Sequence, residues 1–452
     1  MGDARFGTDG VRGLANGSLT PELALALGRA AARVLKEPAV VLGRDTRRSG
    51  PMLLNALAAG FASEGVDVID VGVLPTPGIA SLCARRGIPG AIVSASHNSY
   101  PDNGIKVLGP GGTKLGDEIE SAIEAELEVL LGMAAVANGR PTGAGIGEIR
   151  VEHELAQEYV HYLLASLPPN ALRGLKVVVD CAHGAASRVA EEVLVALGAD
   201  TEVINADPNG VNINDAAGST HPESLIAAVK ASGADLGLAL DGDADRLIAV
   251  DHEGNLVDGD RMLALFAADL KDRGELEANT VVITVMTNLG FLRSMEASGI
   301  RCEVVPVGDR HVLQALLRGN LSLGGEQSGH LIFSRRATTG DGLLTGILLC
   351  DLVRRSGDTL AALASSAFVT YPQTLVAVEV PDREAASTCV ALLEAVERAE
   401  AELGDSGRVL VRASGTEPVV RVMVEAAEVA QAEELTQRLV GVVVAELGGT
   451  VR

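Results

Sequence analysis

Tryptophan is absent from this 452-residue chain, and aromatic residues together make up only 2% of it. Its cores must be built mainly from Val, Leu, Ile and Ala, and a saccharide site would have few rings to stack on, leaving recognition to hydrogen bonds and charge. Cysteine is scarce as well. Cys83, Cys181, Cys302, Cys350 and Cys389 match no zinc-ligand spacing, and an odd, scattered set fits reduced thiols serving as small buried hydrophobes. No apolar run reaches the ~18 residues of a membrane helix, and no charged start followed by an apolar core opens the chain. A soluble cytoplasmic protein with no membrane partner is therefore expected. Basic charge is in deficit: 37 Lys and Arg face 60 Asp and Glu, a net charge of −23. That excludes a general nucleic-acid binder, which needs a basic surface. Most of the acid reads as solubilising surface, and an anionic ligand stays compatible with it where Arg and Lys gather locally.

Apolar residues make up 47% of the chain, enough for several cores, and at roughly 100–200 residues per domain three or four domains are expected. Three stretches share one texture of short Val/Ile/Leu-rich runs with Ala/Leu/Glu-rich helical patterns between them. The first holds Ala39–Arg47, Val66–Gly72 and Gly90–Asn98; the second Leu175–Gly184, Thr201–Asn205 and Leu236–Arg246; the third Asn279–Asn288, Cys302–Arg310 and Leu321–His330. Continuous apolar runs suit strands covered on both faces by helices, and in such α/β layers function gathers beyond the strand ends. The last part differs. Thr374–Val380, Arg408–Ser414 and Val419–Ala426 alternate as antiparallel strands do, with helical patterns over Asp382–Leu403 and Ala427–Leu447. A small α+β domain is expected from about Val369 onward, and Leu127–Glu152, with no strand patterning, is expected to hold the first boundary.

Four segments carry chemistry. In Asp241-Gly242-Asp243-Ala244-Asp245-Arg246, three carboxylates alternate after an apolar strand. Oxygen ligands on such a loop can converge on one hard cation, Mg²⁺ rather than zinc or copper. An EF-hand is excluded, because Arg246 and His252 stand where it needs Gly and Glu; a phosphatase with Asp241 as nucleophile and a solvated acidic turn stay open. Ser94-Ala95-Ser96-His97-Asn98, with Lys106 further on, offers a strand-end hydroxyl that is either a phosphoryl carrier or a helix N-cap. It lacks the surroundings of a hydrolase nucleophile. Arg412-Ala413-Ser414-Gly415-Thr416-Glu417-Pro418 and Arg421 suit a phosphate nest with forked donors or, equally, a hairpin turn with surface arginines. Gly324-Gly325-Glu326-Gln327-Ser328-Gly329-His330 suits sugar hydroxyls or a polar strand-turn-strand.

These four segments in this order, together with Arg5–Gly13, resemble the α-D-phosphohexomutases over nearly the whole chain. The resemblance implies three related α/β domains with mixed sheets plus a smaller α+β C-terminal domain around a central cleft, here divided as 1–150, 151–253, 254–368 and 369–452. It implies a phosphoserine at Ser96, Mg²⁺ held by Ser96 phosphate, Asp241, Asp243 and Asp245, and a catalytic centre lined by Arg12, Lys106, Arg246 and His330. It further implies sugar contacts from Glu326 and Ser328, a phosphate grip from Arg412, Ser414, Gly415, Thr416 and Arg421, and a homodimer. The GEQSG run, RFGTDGVRG and Val307–Arg310 are similar to the branch acting on glucosamine phosphates, whereas the branches for glucose and mannose phosphates more often carry GEMSG. The expected activity is thus interconversion of glucosamine 6- and 1-phosphate through a bisphosphate, a hexosamine phosphate being the small-molecule partner. A silent phosphosugar binder is the alternative of another class. Ser99 stands where the family usually has Pro, which leaves that turn less constrained, and Asp215-Ala216-Ala217 occupies a variable position before Gly218–Pro222.

Overall fold

The computed structural model describes residues 10–132, 139–414 and 418–451. Residues 5–9 of the opening motif, and Gly415 and Thr416, lie outside them. The chain forms two compact units: one runs to Val285 and includes Ile300–Ser365, and the other takes Met286–Gly299 and the chain from Ser366 on.

The first unit contains three sheets. The first is built from β1 (Val11–Leu14), β2 (Ala39–Arg44), β3 (Asp67–Val73), β4 (Gly90–Val93), β5 (Asp102–Leu108) and β6 (Ile149–Val151), in the order β1-β5-β4-β2-β3-β6. The second uses β7 (Lys176–Asp180), β8 (Asp200–Ile204), β9 (Leu236–Leu240), β10 (Leu247–Asp251) and β11 (Leu256–Val257), ordered β11-β10-β9-β7-β8. The third uses β12 (Thr280–Thr284), β13 (Arg301–Val305), β14 (Leu323–Gly325) and β15 (Leu331–Phe333), ordered β13-β12-β14-β15.

One pattern recurs in all three. Parallel strands β3-β2-β4, β8-β7-β9 and β13-β12-β14 are each followed by an antiparallel partner of the last member, β5, β10 or β15. The connections β4–β5, β9–β10 and β14–β15 contain Ser96, Asp241–Arg246 and Glu326–His330. The three chemical loops thus occupy one topological position in three repeats. Strands β4, β9 and β12 are buried at every residue, which accounts for their unbroken apolar runs.

The stretch Leu127–Glu152 contains a strand that its sequence does not show. It holds the end of the helix Asp117–Gly132 and the three-residue strand β6, which pairs in parallel with β3. Ile149 and Val151 are exposed on this edge, so no buried face imposes a periodicity that the sequence could display.

The second unit has an antiparallel sheet of β16 (Gln373–Glu379), β17 (Arg408–Ala413), β18 (Val419–Glu425) and β19 (Thr450–Val451), ordered β17-β18-β16-β19. Val378, Val420, Val422 and Val424 pack with the helices Val390–Leu403 and Val429–Leu447. The helix Leu289–Ala297 also belongs here, although it falls between β12 and β13 in the chain. Asn288 Oδ1 caps it from Gly290 N at 2.9 Å and accepts from Tyr371 N at 3.0 Å, while Phe291 meets Phe368 edge-on. No helix among the described residues is long and apolar enough to cross a membrane.

In the first module, Thr20 caps the helix Pro21–Leu35, and its Oγ1 accepts from Leu23 N at 3.3 Å. This helix crosses Gly50–Ser63 at two glycines. A Cβ on Gly28 would lie 2.4 Å from Leu57 O, and one on Gly60 would lie 2.4 Å from Leu25 O. Backbone meets backbone there, so no side chain can yield. Gly60→Ala is expected to destabilise the fold by about 1–3 kcal/mol; urea unfolding that gave unchanged stability would show that the crossing tolerates a methyl group.

Candidate active site

Ser96 follows β4 and is 1% exposed. Its backbone is left-handed, with φ +51°, an uncommon conformation for a residue with a Cβ that must be held by its surroundings. No helix begins here, which removes the N-cap reading. Ser94 Oγ accepts from Ser96 N at 2.9 Å and donates to Asp45 Oδ2 at 2.7 Å; the same carboxylate accepts from Arg47 Nε at 2.9 Å. Arg47 is wholly buried. Its Nη2 reaches Ser96 O and Asn98 O, each at 2.9 Å, and its Nη1 reaches Asp102 O at 3.1 Å and also Ser99 O. The turn with Ser in place of Pro is therefore tied through its own carbonyl.

Across from it, β9 delivers the three aspartates. Ser96 Oγ donates to Asp241 Oδ2 at 2.5 Å. Gly242 is required at this junction, because a Cβ there would stand 2.6 Å from Ser96 O. Thr76 joins the first module to the second a second time, through N–H to Asp243 O at 2.9 Å and Oγ1 to Asp243 Oδ2 at 2.7 Å. Asp241, Asp243 and Asp245 are buried and offer one carboxylate oxygen each, all within 4.8 Å of one another. Asp243 Oδ1 and Asp245 Oδ1 are buried with no hydrogen-bond partner, a costly state for an anionic oxygen unless a cation meets it. Burial, then Asp245 and Asp243, push Asp241 up to about 8. Oxygen-only, anionic, convergent and partly unsatisfied, this donor set fits a hard divalent cation.

Lys106, Arg246 and His330 converge on the same carboxylates. Lys106, on β5 opposite Ile92, places Nζ 3.0 Å from Asp243 Oδ2 and 3.5 Å from Asp245 Oδ2. Arg246 Nε lies 3.7 Å from Asp245 Oδ1, as does His330 Nδ1. Burial raises Asp245, but Lys106, then His330 and Arg246, outweigh it and hold the carboxyl well below its usual range. His330 Nε2 accepts from Gly340 N at 3.0 Å, which leaves the Nδ1 proton facing Asp245. Arg12, on β1, points Nη1 at Ala95 O and Asn98 Oδ1, both at 3.5 Å. Glu326 sits in the β14–β15 turn, so the strand-turn-strand reading of that segment describes its backbone. Its Oε1 accepts from Gly308 N at 3.0 Å and its Oε2 from Ser328 Oγ at 3.3 Å.

In the second unit, Arg412 and Arg421 are directly opposed on β17 and β18, and Ser414 N donates to Val419 O at 2.9 Å. Strands β17 and β18 thus pair in antiparallel fashion on either side of residues 415–417, which lie outside the described residues. Burial, and then Arg421, lower the Arg412 pKa, and Arg412 Nε is buried without a hydrogen-bond partner. Two guanidinium groups at facing positions of neighbouring strands suit an anion between them.

Sequence reasoning gave no role to Asp45, Arg47, Thr76 or His97. The Asp45-Thr46-Arg47 run directly after β2 was a usable signal for the first two, since charged residues directly beyond a buried parallel strand need partners. His97 Nδ1 stands 3.4 Å from Ser96 Oγ, and burial, Arg246 and Arg12 push its pKa down to about 4, so the ring is neutral at pH 7. Arg47→Ala leaves Asp45 buried without its cation and four loop carbonyls short of a donor. A loss of about 3–5 kcal/mol is expected; a change under about 1 kcal/mol in chemical denaturation would show that the loop holds itself.

Four family models match the chain in order. Phosphoglucomutase/phosphomannomutase α/β/α domains I, II and III match residues 3–130, 157–254 and 258–371, and the C-terminal domain matches 375–442. A phosphoglucosamine mutase of Bifidobacterium animalis subsp. lactis is 52% identical, the match covering 98% of this chain and 99% of the relative. The phosphoglucosamine mutase of Rhodococcus jostii is also 52% identical, over 97% and 98%. A solved phosphoglucomutase/phosphomannomutase family protein from Burkholderia thailandensis superposes with a TM-score of 0.80 at 28% identity, covering 98% of this chain and 97% of its own. With three mixed-sheet α/β modules, an α+β C-terminal domain and the serine set against the aspartates, the chain belongs to the α-D-phosphohexomutase family.

Proposed function

We propose that this chain interconverts glucosamine 6-phosphate and glucosamine 1-phosphate, with Ser96 as the phosphoryl carrier and Asp241, Asp243 and Asp245 as the ligands of one Mg²⁺. The observation that carries the reading is the 2.5 Å approach of Ser96 Oγ to Asp241 Oδ2. A phosphoryl group on that oxygen lies against three buried carboxylates. The relatives named phosphoglucosamine mutase, at 52% identity over nearly full length, support the substrate. A cytoplasmic location, a homodimer, a role in supplying precursors of UDP-N-acetylglucosamine, and the domain limits 1–150, 151–253, 254–368 and 369–452 belong to the same reading.

Phosphoryl transfer needs positioning and neutralisation of charge more than covalent chemistry from the protein. Mg²⁺ in the aspartate site supplies Lewis-acid charge for the transferring group and the serine oxygen. Arg12 and Arg246 supply fixed positive charge beside Ser96, and Glu326 and Ser328 orient the sugar through its hydroxyls. Arg412, Ser414, Gly415, Thr416 and Arg421 bind the phosphate that is not reacting. In the first half-reaction the bond from phosphorus to Ser96 Oγ breaks as a bond to O1 of glucosamine 6-phosphate forms. The O1 proton passes to the Lys106–Asp245–His330 group, in which Lys106 Nζ and His330 Nδ1 both lie against Asp245 (3.5 and 3.7 Å), and that group later returns the proton to O6. The bisphosphate turns over, its 6-phosphoryl group returns to Ser96, and glucosamine 1-phosphate leaves.

Ser96→Ala is expected to lower turnover at least ~10³-fold with the fold intact, the scale of removing a covalent nucleophile. Steady-state kinetics with circular dichroism checks this, and a variant near wild-type rate would remove Ser96 from the chemistry. Arg421→Ala is expected to raise KM for glucosamine 6-phosphate by about tenfold or more, the size of one charged hydrogen bond, with a smaller change in kcat. An unchanged KM would take Arg421 out of phosphate binding. Parallel assays on glucose and mannose phosphates test the substrate assignment.

A further inference from the structure

The carbonyls of Ser96 and Asn98 are gripped from two sides. Arg47 Nη2 donates to both, each at 2.9 Å, from the first module. Asn214 Nδ2 donates to both, also each at 2.9 Å, from the second. One nitrogen with two hydrogens on each side thus fills both lone pairs of both carbonyls. The amide of Asn214 is oriented by these contacts, since the reverse placement would aim Oδ1 at two carbonyl oxygens. Asn214 Oδ1 is left buried without a hydrogen-bond partner, a cost accepted to present both donors to one turn.

Asn214 is itself braced. It is 6% exposed, its backbone is left-handed at φ +57°, and its N–H donates to Ala182 O at 3.0 Å. The adjoining Ala182 and His183 are also left-handed, and Ala185 N donates to Gly242 O at 2.8 Å. Asn214 therefore stands on the same framework that carries the aspartate loop. Any displacement of that framework is passed by the amide to the peptide of the carrier serine.

We propose that Asn214 is a positioning residue for phosphoryl transfer: with Arg47 opposite, it locks the strained Ser96 backbone to the aspartate-bearing module, so that Oγ and the carboxylates stay in reacting geometry. This inference rests on the mutase reading. A misplacement of ~1 Å at a reacting atom costs on the order of 10²-fold in rate, whereas contacts to the sugar and to the non-reacting phosphate do not involve Asn214.

Asn214→Gly tests it, because glycine adopts the left-handed backbone freely and removes the donors together with the rest of the side chain, including the unpartnered Oδ1. Asn214→Asp keeps the size and replaces donors by acceptors. With the full-length protein, both variants are expected to lose about 10–100-fold in kcat. KM for glucosamine 6-phosphate should stay within about threefold of wild type and the melting temperature of Asn214→Gly within a few degrees. Phosphoryl uptake onto Ser96 from glucose 1,6-bisphosphate, followed by intact mass, should slow in proportion to kcat. Asn214→Gly decides the matter if Asn214→Asp does not fold. Unchanged kcat and uptake in Asn214→Gly would overturn the inference, as would a loss of kcat accompanied by a matching loss of thermal stability. A wild-type chain that took no phosphoryl group onto Ser96 would sink the mutase reading, and the inference with it.

Discussion

A serine hydroxyl from one sheet touches a carboxylate from the next, and the rest of the first unit is arranged around that contact. It requires the β4–β5 and β9–β10 turns to approach at backbone distance, which Gly242 allows by having no Cβ. It also requires the Ser96 backbone to stay left-handed, against its intrinsic preference. Arg47, Ser94 and Asn214 meet that requirement with hydrogen bonds to the peptide groups of the turn, and the Asp45 carboxylate holds the Ser94 and Arg47 side chains. The chemistry is presented by one hydroxyl, yet several buried polar residues serve only to aim it.

Charge is the second constraint. The chain carries a net −23, but around the aspartates the positive heads of Lys106 and Arg246, and the Nδ1 side of His330, all face carboxylate oxygens. Three buried carboxylates cannot all ionise in a low-dielectric site without compensating charge, and the upward displacement of Asp241 expresses that. In the second unit Arg412 and Arg421 are cross-strand neighbours, and burial, then the like charge of Arg421, lowers the Arg412 pKa. A strongly acidic protein handles phosphate by local placement of cations, and its overall sign matters little there.

The repeat explains why the functional loops are regularly spaced along the chain. Each module ends its parallel strands with an antiparallel return, and the turn before that return is where the modules of the first unit carry serine, aspartates or glutamate. Loops outside the strand ends are free to hold polar groups, because the sheet interior behind them supplies the stability. The bland and functional readings of one such loop were therefore never true rivals. The Gly324–His330 segment is an ordinary strand connection in backbone and still presents Glu326, Ser328 and His330 as polar side chains.

What the sequence determined by itself is the strands buried on both faces and the residues standing at their ends. Burial on two faces forces unbroken apolar runs such as Leu236–Leu240, and those runs end abruptly at Asp241, as they do at Ser94. Ser96 and the three aspartates were legible because their residue types and alternation narrow the chemistry to few options. The edge strand Ile149–Val151 was not legible, since an exposed edge imposes no pattern, and neither was the membership of Leu289–Ala297 in the second unit. Arg47 and Asn214 were hidden for a different reason. A hydrogen bond to a carbonyl places no demand on the residue type that owns the carbonyl, so nothing in Ser96-His97-Asn98 announces its donors. Only the tertiary structure, which brings residues 47, 96 and 214 to one point, could decide what holds the serine in place.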